Sequence, residues 1–255
     1  MKDLFSSQSQ LYQKARPNYP QSVINEILKH VEHKELAWDC GAGSGQFTQL
    51  LSPYFSNVIA TDLSQQQLDQ APVLSNVQYL AQPAEENDFP SAYFDLITVA
   101  QAIHWFNFDI FYKEVKRVLK PNGVFAVVGY GLLEIKDVRV NDLVQKLYYQ
   151  TLKDYWDVER KSIDEEYLTI PFPFPFPFPF PFPFPFPFQE IDAPKLSMEY
   201  SWSAAQLLDY LNTWSAIKHY KKKNEDDPLA RLKMALTEQD VSYKIEFPIL
   251  LRIGR

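Results

Sequence analysis

The segment Asp39-Cys40-Gly41-Ala42-Gly43-Ser44-Gly45 constrains this chain more than any other. Leu36 to Cys40 reads as a short apolar strand and Gln46 to Leu51 as the opening of a helix, so three glycines fall on a strand-to-helix bend. Glycine suits that bend because it accepts positive φ and has no Cβ to hold a ligand away from the backbone. The helix behind it offers unpaired N–H groups and the positive end of a dipole, which favours a ligand bearing a carboxylate or a phosphate.

Spacing narrows the ligand. A dinucleotide-binding turn reads G-x-G-x-x-G, with an acid about 20 residues further on for the ribose. Here the glycines alternate with single residues, Asp39 stands two positions before the first, and a second apolar run, Val58 to Thr61, ends in Asp62. The D-x-G-x-G-x-G form with that second acid resembles the first motif of the class I S-adenosylmethionine-dependent methyltransferases. The resemblance implies S-adenosyl-L-methionine as cofactor. It assigns Asp39, Gly41, Gly43 and Gly45 to the cofactor turn and Asp62 to the ribose hydroxyls. It also sets Leu63 against the adenine and Ala84 and Glu85 near the adenine amino group. The alternative reading of Glu85 is a solvated charge of the run Glu85-Glu86-Asn87-Asp88.

The resemblance extends over most of the chain. Phe94 to Phe106, ending Gln101-Ala102-Ile103-His104-Trp105-Phe106, and the element Arg16-Pro17-Asn18-Tyr19-Pro20 are similar to the methyltransferase type 11 subgroup that includes trans-aconitate methyltransferase-like enzymes. Trp38 and Cys40 depart from the residues usual there, without removing a ligand-binding group.

The pattern of elements is that of an α/β protein with a doubly wound sheet. Strands are expected at Leu36–Cys40, Asn57–Asp62, Val77–Ala81, Phe94–Ala100 and Val124–Tyr130, with helices at Pro20–His30, Ser44–Leu51, Ser64–Ala71 and Phe108–Leu119. Pro121-Asn122-Gly123 reads as a turn into the fifth strand. Beyond Tyr130 a long helix is expected near Lys136–Trp156, a strand at Lys195–Ser201, helices at Ala204–Leu211, Ala216–Tyr220 and Leu229–Leu236, and a last strand at Ser242–Ile253. The family fold implied by the resemblance is a Rossmann-like sheet of seven strands with the last antiparallel. One domain is expected over 1–255: a core at 36–130, an N-terminal lid segment at 1–20, and an acceptor-side region at 131–255.

Composition sets limits. A net charge of -7 argues against a nucleic-acid partner, which needs a basic face. Met1 to Arg16 lacks the apolar core of a signal peptide and no apolar run reaches the ~18 residues of a membrane span, so a cytoplasmic location without membrane contact is expected. The single cysteine, Cys40, reads as a small strand-end residue, and no Cys/His spacing suggests a metal.

Methyl transfer from a sulfonium is an in-line displacement, so positioning can supply much of the rate. Gln101 to Phe106 lies just outside the carboxyl end of a central strand, where parallel sheets place ligands. Gln101 is a candidate support for the methionine amine and Trp105 a pocket wall. His104 either takes a proton from a hydroxyl acceptor or only hydrogen-bonds it. A carboxylate acceptor needs no base, and His104 and Arg16 then act as charge partners. Arg16, Tyr19 and Tyr12 form either a lid over the cofactor or an ordinary helix cap. Trp214, in Thr213-Trp214-Ser215, lines the acceptor pocket or packs in the core.

Pro171 to Phe188 repeats Pro-Phe nine times. Proline lacks an N–H and restricts the residue before it, so neither helix nor inner strand can form. Two readings stand: a surface loop expanded from a short Ile170-Pro-Phe-Pro-Phe174 element, or a docking strip for a partner or a membrane surface. The expected activity is methyl transfer to oxygen of a small carboxylic acid or hydroxyl metabolite. Its rivals are a non-catalytic S-adenosylmethionine-binding protein acting through the tract, and a nicotinamide oxidoreductase, for which the glycine spacing is wrong.

Overall fold

The computed structural model describes residues 15–170, 190–236 and 241–255. Helix α1 (Gln21–Leu28) leads into β1 (Leu36–Cys40), α2 (Gln46–Leu51), β2 (Asn57–Asp62), α3 (Gln65–Leu68), β3 (Val77–Ala81), β4 (Phe94–Ala100), α4 (Phe108–Val118) and β5 (Leu119–Tyr130). The chain continues through β6 (Glu134–Ile135), α5 (Val138–Lys146), α6 (Lys161–Asp164), β7 (Glu190–Ile191), β8 (Ser197–Ser203), α7 (Ala204–Asn212), α8 (Ser215–Lys223), α9 (Ala230–Ala235) and β9 (Ser242–Gly254).

The sheet runs β3-β2-β1-β4-β5-β9. Pairing is parallel from β3 to β5, and β9 enters antiparallel between β5 and β8. Strand order reverses at β1, which β2 and β4 flank, and such a switch point opens a crevice at the carboxyl ends of both. Both faces are covered, as the continuous apolar runs require. Along β5, Val124, Ala126 and Val128 face one core with Ile24 and Phe47, while Phe125 and Val127 face a second with Phe111 and Val115. The Rossmann-like sheet expected from the sequence is therefore present, with β6 and β7 as two-residue additions.

Three local expectations differ. Pro121-Asn122-Gly123 does not precede the fifth strand but interrupts it as a bulge: Phe94 faces Leu119, Leu96 faces Val124, and Asn122 sits at φ 66°. The helix expected over Ser64–Ala71 stops at Leu68, short of Ala71, whose helical conformation Pro72 disfavours. The long helix expected near Lys136–Trp156 ends at Lys146 and loosens into a π-turn over Leu147–Thr151 and a tight turn over Lys153–Tyr155. That break folds Trp156 back: its Nε1 donates to the Tyr148 carbonyl at 3.2 Å, and the two rings lie 4.5 Å apart. Ring packing overrides the helical periodicity there.

Arg252 ties together the two chain ends that flank 171–189. Its Nη1 donates to the carbonyls of Tyr167 (2.9 Å) and Ile170 (3.3 Å), and its Nε and Nη2 donate to the two Glu190 carboxylate oxygens at 2.7 and 2.8 Å. The Pro-Phe tract and the docking strip read into it lie outside the described residues, as does Tyr12. Among the described residues no helix is long and apolar enough to cross a membrane.

Candidate active site

The glycine bend is built as its spacing predicts. Gly41, Gly43 and Gly45 all take positive φ, 74°, 55° and 75°. At Gly41 the need is absolute, since a Cβ there would stand 2.6 Å from the Ala102 Cβ and 3.2 Å from the Phe106 ring. The backbone N–H groups of Gly41 and Ala42 donate to the Thr61 carbonyl at 2.8 and 2.9 Å, locking the bend to β2. Asp62 closes the other side: its Oδ2 accepts from the Gly43 N–H at 2.9 Å and its Oδ1 from the Ser64 N–H at 2.8 Å. A carboxylate has about four lone-pair sites, an acceptor capacity suited to a pair of hydroxyls.

These groups border a cavity of about 150 Å³. Of the residues expected at the cofactor, Gly41, Gly43, Asp62, Leu63, Ala84 and Gln101 line it, and so do Arg16, Tyr19 and Trp105. The rest sit elsewhere. Asp39 is fully buried behind the bend, where its carboxylate accepts from the hydroxyls of Thr48 (2.6 Å) and Thr98 (3.1 Å). Burial pushes its pKa up to about 6 against the pull of those two hydroxyls, with the Asp62 charge adding to the rise. Asp39 thus shapes the bend from below. Gly45 is the N-cap of α2, not a wall, and a Cβ there would meet Ala71 and Tyr79 at 3.1 Å. Glu85 accepts from the Asn107 N–H at 2.9 Å and is part of a helix start.

Gln101 holds φ 55°, rare for a residue with a side chain, and its Oε1 accepts from the Tyr130 N–H at 2.9 Å. Its amide group is spent on fixing the end of β5. Tyr130, which the sequence analysis missed, accepts from Arg16 Nη1 at 2.9 Å and lines the cavity too. The rule that found Gln101, a residue at the carboxyl end of a central parallel strand, would also have found Tyr130.

His104 and Trp214 stand apart from the first cavity and border a second, of about 40 Å³, which shares Arg16, Gln101 and Trp105 with the first. His104 is buried, its Nδ1 lies 3.4 Å from the Tyr167 hydroxyl, and its pKa falls to about 3, through burial first and the Arg160 charge second. It is neutral at pH 7 and a weak base. Trp156, Asp157, Arg160, Ile163 and Ser215 also line this cavity, and no motif announced the first four. Cys40 is buried and absent from both linings, and burial pushes its thiol up, away from the reactive thiolate.

The residues present fit S-adenosylmethionine: two glycines bare the main chain of the bend, the Asp62 carboxylate stands opposite, and the half-exposed Leu63 offers an apolar face. Comparison with known proteins agrees. Residues 38–127 match the model of a methyltransferase domain. A Dictyostelium discoideum protein named "Putative methyltransferase" is 38% identical over 99% of this chain and 95% of its own length. A solved structure from Anaeromyxobacter dehalogenans, described as a "Putative Type II Methyltransferase", superposes with a TM-score of 0.81 at 35% identity, covering 94% of this chain and 97% of that one. A Saccharomyces cerevisiae protein named "Probable S-adenosylmethionine-dependent methyltransferase" is 32% identical over 49% of this chain and 46% of its own length. The fold and the site define a Rossmann-like, cofactor-binding transferase. The chain belongs to the class I S-adenosylmethionine-dependent methyltransferases.

Proposed function

We propose that the protein transfers the methyl group to an oxygen of a small molecule, a carboxylic acid or a hydroxyl-bearing metabolite. The observation that carries this reading is the shared wall of the two cavities, where Arg16, Gln101 and Trp105 face both. A donor in the larger cavity and a small acceptor in the smaller one would meet there. When bound, S-adenosylmethionine supplies an electrophilic methyl group on a sulfonium, open to in-line attack.

The chain's own contribution is position and exclusion of water. Holding two reactants in line is worth roughly 7–11 kcal/mol of barrier in favourable cases, so little else is required. Gly41 and Gly43 let the methionine portion approach the main chain, and Asp62 takes the ribose hydroxyls on its two oxygens. Asp39 stiffens the bend through Thr48 and Thr98. A His104 that stays neutral at pH 7 acts as a hydrogen-bonding wall, which suits an acceptor oxygen already ionised at that pH.

A test is incubation of the protein with methyl-labelled S-adenosylmethionine and a small-molecule cell extract, followed by mass spectrometry. Labelled small products whose methyl group is lost to alkali, as from an ester, or retained, as in an ether, support the reading. Label confined to carbon or nitrogen, or to macromolecules when these are added back, contradicts it.

A further inference from the structure

Two groups on the lining of the second cavity lack partners. Trp214 borders it and is buried, yet among the described residues its Nε1 has no hydrogen-bond partner. Asp157 borders it as well, and its Oδ2 is likewise buried and without a partner among the described residues. The indole N–H and the carboxylate oxygen therefore do not pair with each other, and one donor and one acceptor are left over on the same lining. Each is costly to leave unsatisfied, so together they call for an occupant. Other polar groups of the lining already have partners: the Gln101 Oε1 accepts from the Tyr130 N–H, the Trp156 Nε1 donates to the Tyr148 carbonyl, and the His104 Nδ1 lies 3.4 Å from the Tyr167 hydroxyl.

Small occupants differ in what they satisfy. A carboxylate accepts but cannot donate, so it leaves Asp157 Oδ2 unpaired and sets a second negative charge against it. An ammonium donates but cannot accept, so it leaves the Trp214 N–H unpaired and sets a second positive charge beside Arg160, which stands on the same lining. A neutral group with both functions, a primary carboxamide or a hydroxyl, accepts from Trp214 and donates to Asp157. Size agrees. The cavity measures about 40 Å³, and a water needs about 10–15 Å³ by this measure, so the space takes roughly three heavy atoms. A whole carboxamide fits, and so does a hydroxyl with its carbon.

We propose that the second cavity holds a neutral end of the methyl acceptor, a primary carboxamide or a hydroxyl, which bridges Trp214 Nε1 and Asp157 Oδ2. The assignment rests on the methyl-transfer reading. The held group serves recognition and is not the nucleophile, because an oxygen loses electron density as it is methylated, and a bond from the indole N–H stabilises its ground state more than its transition state. The methyl-accepting oxygen lies elsewhere on the molecule, toward Arg16, Gln101 and Trp105, which border both cavities. Fixing one end of the acceptor at two points aligns the rest for in-line attack. A molecule that presents a carboxylate or an amine to this cavity is rejected, since each leaves a buried group unpaired.

The probes are formamide, ethanol, formate and ethylammonium, which share one heavy-atom count and differ in charge and in donor and acceptor groups. Protein labelled with ¹⁵N at its five tryptophans and saturated with S-adenosylhomocysteine is titrated with each at matched ionic strength, the Trp214 indole N–H signal being assigned by W214F. The better of the two neutral probes should move that signal in a saturable way by about 0.2 M, since so small a ligand binds weakly. Which of the two binds more tightly tells a carboxamide end from a hydroxyl end. Formate and ethylammonium should each bind at least about fivefold more weakly than that probe. D157N, which removes the charge and offers formate a donor, should raise formate binding relative to formamide by about fivefold or more, while S-adenosylhomocysteine affinity by calorimetry stays within about twofold. A Trp214 signal that neither neutral probe moves, formate or ethylammonium binding as tightly as the better neutral probe, or an unchanged formate-to-formamide ratio in D157N would overturn the assignment. The order of the probes on the wild type needs no variant, so it decides the matter even where D157N does not fold. Failure to bind S-adenosylhomocysteine at all is a separate outcome and counts against the methyl-transfer reading instead.

Discussion

The two cavities that meet at Arg16, Gln101 and Trp105 are built from different material. The larger one is walled on one side by a continuous bend of main chain, Gly41 to Ser44, whose shape depends on the absence of side chains. The smaller one is walled by side chains from four distant stretches: Arg16, the segment 101–105, the segment 156–163, and Trp214 with Ser215. A backbone cradle leaves a local spacing in the sequence, because consecutive residues must share one turn. A side-chain pocket assembled across the fold leaves none. The larger cavity was therefore legible in the sequence, and the smaller one was not.

Several changes separate the two walls, and the largest effect is expected on the side-chain wall. His104, with a pKa lowered to about 3, binds fewer protons folded than unfolded between pH 3 and 6.5, so its contribution is complete above 6.5 and is lost as pH falls. Asp39, raised to about 6, has the opposite sign: folded it binds more protons between pH 3.8 and 6, so stability from this group grows as pH falls through 6. From pH 7 to 4 each amounts to roughly 3 kcal/mol, at about 1.36 kcal/mol per unit, and the two nearly cancel. Urea unfolding at both pH values checks this. H104Q should gain about 3 kcal/mol relative to wild type on acidification, and D39N should lose a similar amount. If neither variant changes the pH slope, the burial assigned to these groups is wrong.

Gly41→Ala attacks the backbone wall. With φ at 74° and a 2.6 Å approach to Ala102, the variant should lose about 2–3 kcal/mol of stability and all measurable S-adenosylmethionine binding. A Gly41→Ala protein that still binds the cofactor normally would show that the bend is only a turn.

The smallest effect is expected at the Pro-Phe tract. Arg252 already holds Tyr167, Ile170 and Glu190 together, so the chain ends at the tract meet whatever its length. Deleting Pro175–Phe188 should change stability by about 1 kcal/mol or less, since loop closure costs only ~0.6 kcal/mol per doubling of length. S-adenosylmethionine affinity should hold within about twofold. Arg252→Gln, which releases the clamp and leaves the buried carbonyls of Tyr167 and Ile170 without their donor, should cost more, about 2–4 kcal/mol. Loss of acceptor turnover on deletion, with cofactor binding intact, would instead give the tract a functional part.

What could be read in advance follows the same division. The strands over Leu36–Cys40, Asn57–Asp62, Val77–Ala81 and Phe94–Ala100 stand where apolar runs and turn residues placed them. Of these, β1, β2 and β4 are buried over most of their length, and β2 ends beside the larger cavity at Asp62. Asp62 was legible because it closes such a strand. Asp39 was legible as part of the motif, but its burial against Thr48 and Thr98 was not, since a carboxylate at a strand end can point either way. Past Tyr130, the π-turn at Leu147–Thr151 broke the expected helix because Trp156 packs back on Tyr148, a contact that helical periodicity does not encode. That same break lies just before Trp156, Asp157 and Arg160, which line the second cavity, so the misread helix and the unannounced cavity residues belong to one stretch of chain.

The central claim is that the glycine bend and Asp62 together form an S-adenosylmethionine site. Isothermal titration of the full chain with S-adenosylmethionine, beside Asp62→Ala and with NADH as control, tests it most directly. The account predicts saturable binding to the wild type, at least about 100-fold weaker binding to Asp62→Ala because two hydrogen bonds to a charged group are lost, and no binding of NADH. Heat with NADH and none with S-adenosylmethionine would contradict it.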